Sequence, residues 1–182
     1  VLSRFALNYK TGKAIPQELV ERIHNASTFN KGFTTVEYLS SALVDMKLHL
    51  ANADNIDPDA FEKKTLEELG MPHEIVMRHR TPQFGHVFSS DGYSAGYYSY
   101  LWSDVLTADA FSAFEEAGGA YDKAVAKRLY DNIFSVGNTI DPQDGFKKFR
   151  GRDAKTDALM KKRGFPMKTS GAGNSGSGGG LK

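Results

Sequence analysis

The chain has 182 residues, of which 40% are hydrophobic and 25% are charged, a composition typical of an ordinary soluble protein with one packed core. Its 23 basic and 22 acidic residues are interspersed and give a formal net charge of +1, which argues against a nucleic-acid or membrane partner. No apolar run approaches the ~20 residues of a membrane-spanning helix. The absence of cysteine excludes disulfides and thiolate metal sites and is typical of a reducing compartment, so we expect a cytoplasmic protein.

Helical spacing of apolar residues dominates the first half of the chain. A proline at the start of the first segment suits a first helical turn, and Thr34 or Thr35 can cap the second helix. Asp57 and Pro58 have the pattern of a cap and a first helical residue, and Gly70 is placed to end that third helix. The three predicted helices cover residues 15–27, 34–50 and 57–70.

Residues 70–92 are interrupted by proline and glycine and predict a short helix followed by a flexible loop. The apolar segment 94–117 lacks proline, so we expect a long, largely buried helix with Trp102 and Phe111 in the core. Three more helices are predicted, over residues 120–134, from the Asp141-Pro142 pair, and over 153–163.

The pattern therefore predicts an all-α fold. We expect two regions, a helical domain over residues 1–166 and a glycine- and serine-rich tail over 167–182 that has almost nothing to bury.

His73 and Glu74 begin a near-match to the zinc motif His-Glu-x-x-His, in which two histidines on one helical face bind the metal. Met77 stands where the second histidine belongs, and a thioether is a poor zinc ligand. His79 lies six residues after His73, an offset that points it away in a helix. We expect a surface helix end here and no metal site.

Residues 84–102 place a histidine, small residues and four tyrosines within nineteen positions. Tyr93, Tyr97 and Tyr100 are spaced by four and three, so a helix would bring their side chains to one face. Such a row is typical of aromatic core packing. The small, polar residues before Tyr93 favour the other interpretation, a mobile loop that ends at a row of phenols in a substrate pocket.

These residues resemble the metallopeptidase family of thimet oligopeptidase, neurolysin and bacterial oligopeptidase A, and most closely its peptidyl-dipeptidase branch. The resemblance covers residues 29–39, 77–80, 86–102, 137–142, 149–152 and 159–164. It implies the carboxy-terminal portion of a zincin-like, multi-helix peptidase, with a flexible loop before the long buried helix.

In that family a zinc ion, held by His-Glu-x-x-His and a later glutamate, activates water against a peptide bond. This chain contains neither ligand element. The resemblance therefore implies zinc in the complete enzyme and none bound by this chain, which we expect to be inactive alone. Its partners would be short peptide substrates and the missing amino-terminal, zinc-binding part of the same polypeptide, and uncovered apolar helix faces would favour self-association.

Site residues follow from the resemblance by motif position. Tyr100 resembles the phenol that donates a hydrogen bond to the oxyanion of the tetrahedral intermediate. Tyr93 resembles a second phenol near the scissile bond, and His86 a histidine that contacts substrate or stabilises the transition state. Tyr97 is similar to a residue lining the substrate path, and two glycines would leave room for the peptide, Gly92 and Gly96.

Two alternatives stay open beside the peptidase. One is a non-catalytic helical module that binds peptides along the same wall. The other is a structural interaction domain in which the tyrosines only pack in the core.

Overall fold

The computed structural model describes residues 2–52 and 54–167, which form helices joined by turns and loops. The chain also contains a 3₁₀ turn over Thr81–Gln83 and a π turn over Tyr130–Phe134. The two described ranges together contain one isolated β-bridge and no strand, so the predicted all-α fold is confirmed. The helices are α1 (Leu2–Phe5), α2 (Gln17–Ala26), α3 (Lys31–Leu50), α4 (Pro58–Glu68), α5 (Gly85–Phe88), α6 (Ser99–Glu116), α7 (Lys123–Leu129), α8 (Pro142–Arg150) and α9 (Asp157–Lys162).

Within these ranges, no helix combines the length and apolar character needed to cross a bilayer. The predicted glycine- and serine-rich tail lies outside the described residues, apart from its first position.

Both predicted Asp-Pro helix starts are confirmed. The Asp57 carboxylate accepts hydrogen bonds from the backbone amides of Asp59 at 3.0 Å and Ala60 at 3.1 Å, at the start of α4. The Asp141 carboxylate accepts one from the amide of Gln143 at 2.7 Å, at the start of α8. Each carboxylate satisfies amides that have no partner within their own helix, which fixes where the helix begins.

Four helix starts differ by three or more residues from the sequence prediction, and of these α7 and α9 begin late, at Lys123 and Asp157. Helix α3 begins at Lys31, before the expected threonine cap, because Asn30 adopts a left-handed conformation with φ 53° and turns the chain there. Helix α6 begins at Ser99 and not at residue 94, because Ala95 is left-handed with φ 55° and cannot lie in an α-helix. Residues 93–98 therefore form turns in front of α6.

Three clusters of buried side chains hold the helices together. The first lies between α3, α4 and α5 and includes Val44, Leu66 and Val87. The second joins α6 to α9 through Val105, Ala108 and Leu159. The third joins α6, α7 and α8 and consists of Ala113, Val125 and Phe149.

The prediction that Trp102 and Phe111 lie in the core is wrong. Their side chains are 58% and 51% exposed, and in α6 only Val105, Ala108, Asp109 and Ala113 are buried. The apolar remainder of α6 lines a broad groove of about 960 Å³ against the π turn and α8. Apolar periodicity reports that a helix face is hydrophobic, whereas burial depends on which elements cover it.

Gly145 in α8 is a sharp test of this packing. A Cβ added there would lie 2.7 Å from the carbonyl oxygen of Asn132 in the π turn, and a backbone atom cannot rotate away. We expect Gly145→Ala to lower the free energy of unfolding by about 1–3 kcal/mol, as overpacking of a tight contact does. Urea denaturation of the chain measures the difference.

Gly32 in α3 is the matched control, because no atom would lie within 4 Å of its added Cβ. Gly32→Ala should raise the free energy of unfolding by about 0.4–1 kcal/mol through reduced backbone freedom in the unfolded chain. Equal effects of the two substitutions would show that α8 does not pack tightly against the π turn.

Candidate functional site

His86, in the short helix α5, is the centre of an aromatic cluster. Its imidazole makes edge or tilted contacts with three tyrosine rings, with centroid separations of 5.1 Å to Tyr93, 5.7 Å to Tyr97 and 5.8 Å to Tyr100. The phenol oxygen of Tyr100 lies 3.2 Å from His86 Nε2, a hydrogen-bond distance whose direction depends on the histidine tautomer. The structure thus brings the predicted histidine and tyrosines together.

The three tyrosines do not meet by helical spacing, and that expectation is wrong. Only Tyr100 lies in α6, whereas Tyr93 and Tyr97 lie in the turns that precede it. The left-handed residue Ala95 lies between Tyr93 and Tyr97 and interrupts any helix there. The rings converge because the turns fold back on α5.

Three members of the cluster, His86, Tyr97 and Tyr100, line a cleft of about 480 Å³ that is open to solvent, together with Tyr38 and Gln83. The side chains of Tyr93 and Tyr100 are 48% and 51% exposed. Most hydrogen-bonding groups of these wall residues are phenols and imidazoles. Such a surface can orient a polar ligand and donate hydrogen bonds to it.

Tyr97 is held from the α3 side. Tyr38 donates a short hydrogen bond from its phenol to the carbonyl oxygen of Tyr97, and the two rings stack with centroids 4.9 Å apart. Burial raises the pKa of Tyr38 to about 12, and the neighbouring Tyr97 phenol adds to the rise. Burial likewise raises the pKa of Tyr97. Both phenols therefore remain protonated, and able to donate, at neutral pH.

Asp45, one of the most buried carboxylates at 2% exposed, also contacts this segment. Its Oδ1 accepts a hydrogen bond from the amide of Ala95 at 3.1 Å, and its Oδ2 accepts one from the amide of Tyr97 at 3.0 Å. His49 Nδ1 lies 2.9 Å from the same Oδ1. The carboxylate thus ties the turns before α6 to α3.

Glu62 of α4 plays a similar part on the α5 side. It is 2% exposed, and its Oε2 accepts hydrogen bonds from the amide and the hydroxyl of Thr81 at 2.8 and 2.9 Å. Thr81 begins the 3₁₀ turn that leads into α5. The carboxylate therefore holds the start of the turn that leads into α5, the helix that carries His86.

The two predicted glycines differ in how closely the backbone approaches them. A Cβ at Gly96 would lie 3.2 Å from the carbonyl oxygen of Tyr93, whereas one at Gly92 would meet nothing nearer than Ser90 Oγ at 3.7 Å. The tight turn therefore favours glycine at position 96. The space that either leaves for a peptide remains a prediction.

The described residues do not fit a zinc ion. No three histidine, aspartate or glutamate side chains come together within residues 2–52 and 54–167. His73 lies in an exposed turn beside Glu74, not at the helix end expected from the sequence, and its side chain is 82% exposed. The donors around His86 are phenols, which are suited to hydrogen bonding and not to zinc ligation.

Sequence reasoning missed Tyr38, Asp45 and Glu62. A usable signal exists for Asp45, which stands in the apolar run Ala42-Leu43-Val44-Asp45-Met46. A carboxylate on a buried helix face must find hydrogen-bond donors, because an unpaired buried charge is strongly unfavourable. Its partners could not be identified, because they are backbone amides about fifty residues away.

Comparison with known proteins identifies relatives of this chain. The model of "Peptidase family M3" matches residues 1–165. The chain is 38% identical over 169 residues to the dipeptidyl carboxypeptidase of Escherichia coli strain K12, covering 91% of this chain and 24% of that protein. It is 38% identical over 163 residues to oligopeptidase A of the same strain, covering 87% of this chain and 23% of the relative.

The similarity extends to saccharolysin of Saccharomyces cerevisiae, at 31% identity over 176 residues, or 90% of this chain and 23% of that protein. The chain thus spans about a quarter of the length of these curated relatives.

Proposed function

The chain belongs to peptidase family M3, and from this membership we propose that it forms the substrate-binding and oxyanion-stabilising wall of a zinc-dependent peptidyl-dipeptidase. We call the polypeptide of the relatives' length, with this chain as its carboxy-terminal part, the complete enzyme. The observation that carries the proposal is the Tyr100–His86 pair, 3.2 Å apart in an open cleft.

Attack of water on a peptide carbonyl converts a neutral oxygen into an oxyanion. A donor aimed at that oxygen stabilises the transition state more than the ground state, and so accelerates the reaction. Tyr100 is the donor in this proposal. Its position in the first turn of α6, half exposed to the cleft, leaves its hydroxyl accessible to a bound peptide.

His86 sets the direction of that donor. With the proton on Nε2, the imidazole donates to the Tyr100 oxygen, and the phenol keeps its own hydrogen for the oxyanion. The rings of Tyr93 and Tyr97 make T-shaped contacts with the imidazole and restrict its rotation. In this proposal Tyr93 contacts the substrate near the scissile bond, and Tyr97 lines the path that the peptide follows.

Peptidases of family M3 are generally zinc-dependent. We place the zinc and the general base elsewhere in the complete enzyme, because residues 2–52 and 54–167 contain no group of side chains that could hold the metal. The isolated chain is accordingly inactive in this proposal. Its partners are short peptides and the remainder of the complete enzyme, and its compartment is the cytoplasm, consistent with a chain free of cysteine.

Release of dipeptides, as the specific activity, is supported by the similarity to proteins named dipeptidyl carboxypeptidase in Escherichia coli and Salmonella typhimurium. The protein named oligopeptidase A is equally similar, so an oligopeptidase activity is an alternative to dipeptide release.

Mass spectrometry of digests of an amino-terminally acetylated hexapeptide tests the proposal. The complete enzyme should release the carboxy-terminal dipeptide, lose activity with a chelator and regain it with zinc. Cleavage at internal bonds alone would replace the dipeptidase with an oligopeptidase. Absence of any hydrolysis, with tight binding of the hexapeptide, would favour a non-catalytic peptide-binding module.

A further inference from the structure

Two side chains of α3 hold the backbone that leads into α6, and we propose that they position Tyr100 for catalysis. We call this pair, Tyr38 and Asp45, the α3 clamp. The inference rests on the proposed function, because positioning has a catalytic meaning only if Tyr100 is the oxyanion donor.

The clamp holds both ends of one residue. The amide of Tyr97 donates to Asp45 Oδ2 at 3.0 Å, and the carbonyl of Tyr97 accepts from the Tyr38 phenol. Tyr38 and Asp45 are seven residues apart, two helical turns, so they lie on the same face of α3. A residue held at its amide, its carbonyl and its ring has little freedom to rotate.

The clamp also maintains an unfavourable backbone conformation. Ala95 has φ 55°, a region that residues with a Cβ rarely adopt, and its amide donates to Asp45 Oδ1 at 3.1 Å. Such a conformation persists only where the surroundings enforce it. Asp45 enforces this conformation from a fully buried side chain.

The consequence reaches Tyr100 through the start of α6. Tyr98 precedes the helix and makes no side-chain cap hydrogen bond. The hydrogen bonds from Ala95 and Tyr97 to α3 therefore fix the helix entry where a cap ordinarily would. Tyr100 lies three residues after Tyr97, and their rings are 5.6 Å apart. A shift of the Tyr97 peptide moves the Tyr100 phenol with it.

The first test is Asp45→Asn in the complete enzyme. The asparagine amide keeps one acceptor and turns an N–H₂ group toward the second backbone amide. We expect kcat to fall by about 10- to 100-fold, as small misplacements of catalytic groups do, while KM changes by less than about threefold. Hydrogen exchange of the peptide covering residues 93–98 should become faster.

A merely structural role for Asp45 makes a different prediction in a double-mutant cycle. If the clamp acts through Tyr100, Asp45→Asn should lower kcat by less than about twofold when Tyr100→Phe is already present. A full, independent loss of kcat in that background would overturn the proposal. Gly145→Ala is the control for general destabilisation, and it should leave kcat unchanged.

Tyr38→Phe provides a second variant if Asp45→Asn does not fold. It removes only the phenol hydroxyl and keeps the stacked ring, so it should give a smaller loss of kcat with the same dependence on Tyr100. Unchanged hydrogen exchange at residues 93–98 in both variants would also overturn the clamp. If instead Tyr100→Phe alone leaves kcat unchanged, the proposed function fails, and hydrogen exchange alone decides whether α3 holds this segment.

Discussion

Replacement of Tyr100 by phenylalanine is expected to lower the kcat of the complete enzyme by about 100- to 1,000-fold, as removal of one oxyanion donor does. The substitution deletes one hydroxyl and leaves the ring against Tyr97, whose centroid is 5.6 Å away. Because the lost hydrogen bond forms mainly in the transition state, KM should change little. Steady-state kinetics with a short peptide measure both quantities.

Tyr98→Phe is the matched control. Tyr98 is 52% exposed, like Tyr100, but makes none of the ring contacts to His86 that define the cluster. The kcat of the Tyr98→Phe variant should equal that of the unmodified enzyme. Equal losses in the two variants would mean that phenols near the start of α6 matter for folding and not for oxyanion stabilisation.

The largest expected effect on stability comes from Asp109, which lies on the buried side of α6 and is 1% exposed. Its carboxylate accepts hydrogen bonds from Arg150 Nε at 3.1 Å, Arg152 Nη1 at 2.6 Å and the Lys155 amide at 2.8 Å. These contacts join α6 to the end of α8 and to the loop before α9. Asp109→Ala should lower the free energy of unfolding by about 3–5 kcal/mol, because it removes the buried carboxylate that Arg150 and Arg152 share and leaves the Lys155 amide without its acceptor.

Asp131→Ala is the comparison for an exposed ion pair. Its carboxylate lies 2.6 Å from Lys127 Nζ, with the two side chains 46% and 75% exposed. Loss of this pair should change the free energy of unfolding by less than about 1 kcal/mol. Urea denaturation of both variants measures the two changes in the free energy of unfolding. Similarly small changes for Asp109→Ala and Asp131→Ala would contradict a structural role for the Asp109 cluster.

Acid should weaken the same cluster. Burial alone would raise the pKa of Asp109, but the hydrogen bonds from Arg152 and the Lys155 amide and the nearby arginine charges hold it below its ordinary value of 3.8. A lowered pKa in the folded state means that the stabilisation is complete above the ordinary value and is lost as the pH falls through the folded-state pKa. The free energy of unfolding should therefore drop as the pH falls below about 4.

Asp109→Asn is the control for this pH dependence, because it removes the titrating group at nearly constant size. Part of the acid-induced drop should disappear in the variant. The remainder is expected from groups such as Glu116, whose pKa is lowered by its hydrogen bonds to Arg150. An identical acid profile in the two proteins would rule out Asp109 as a source of the drop.

Local chemistry made the helices predictable from the sequence. Asp57-Pro58 and Asp141-Pro142 carry their own start signal, because cap and first turn are adjacent in the chain. The start of α6 could not be found in this way. It depends on Ala95 and Asp45, which are 50 residues apart, and no local pattern reports that contact.

The candidate site was predictable by a different route. Resemblance to the family selected His86 and Tyr100, and the structure then placed their side chains 3.2 Å apart. Helical spacing grouped the three tyrosines for the wrong reason, because Tyr93 and Tyr97 reach His86 from turns. The exposed positions of Trp102 and Phe111 follow from what covers α6, which its own sequence does not encode.

The most direct test of Tyr100 as the oxyanion donor is the affinity of the complete enzyme for a phosphinic peptide, whose tetrahedral anionic centre imitates the intermediate. Inhibition constants of the unmodified enzyme and the Tyr100→Phe variant are compared, with Tyr98→Phe as control. We expect Tyr100→Phe to weaken this inhibitor by about the same factor as kcat/KM, on the order of 100-fold or more. An unchanged affinity for the phosphinic peptide would contradict the assignment of Tyr100 to the oxyanion.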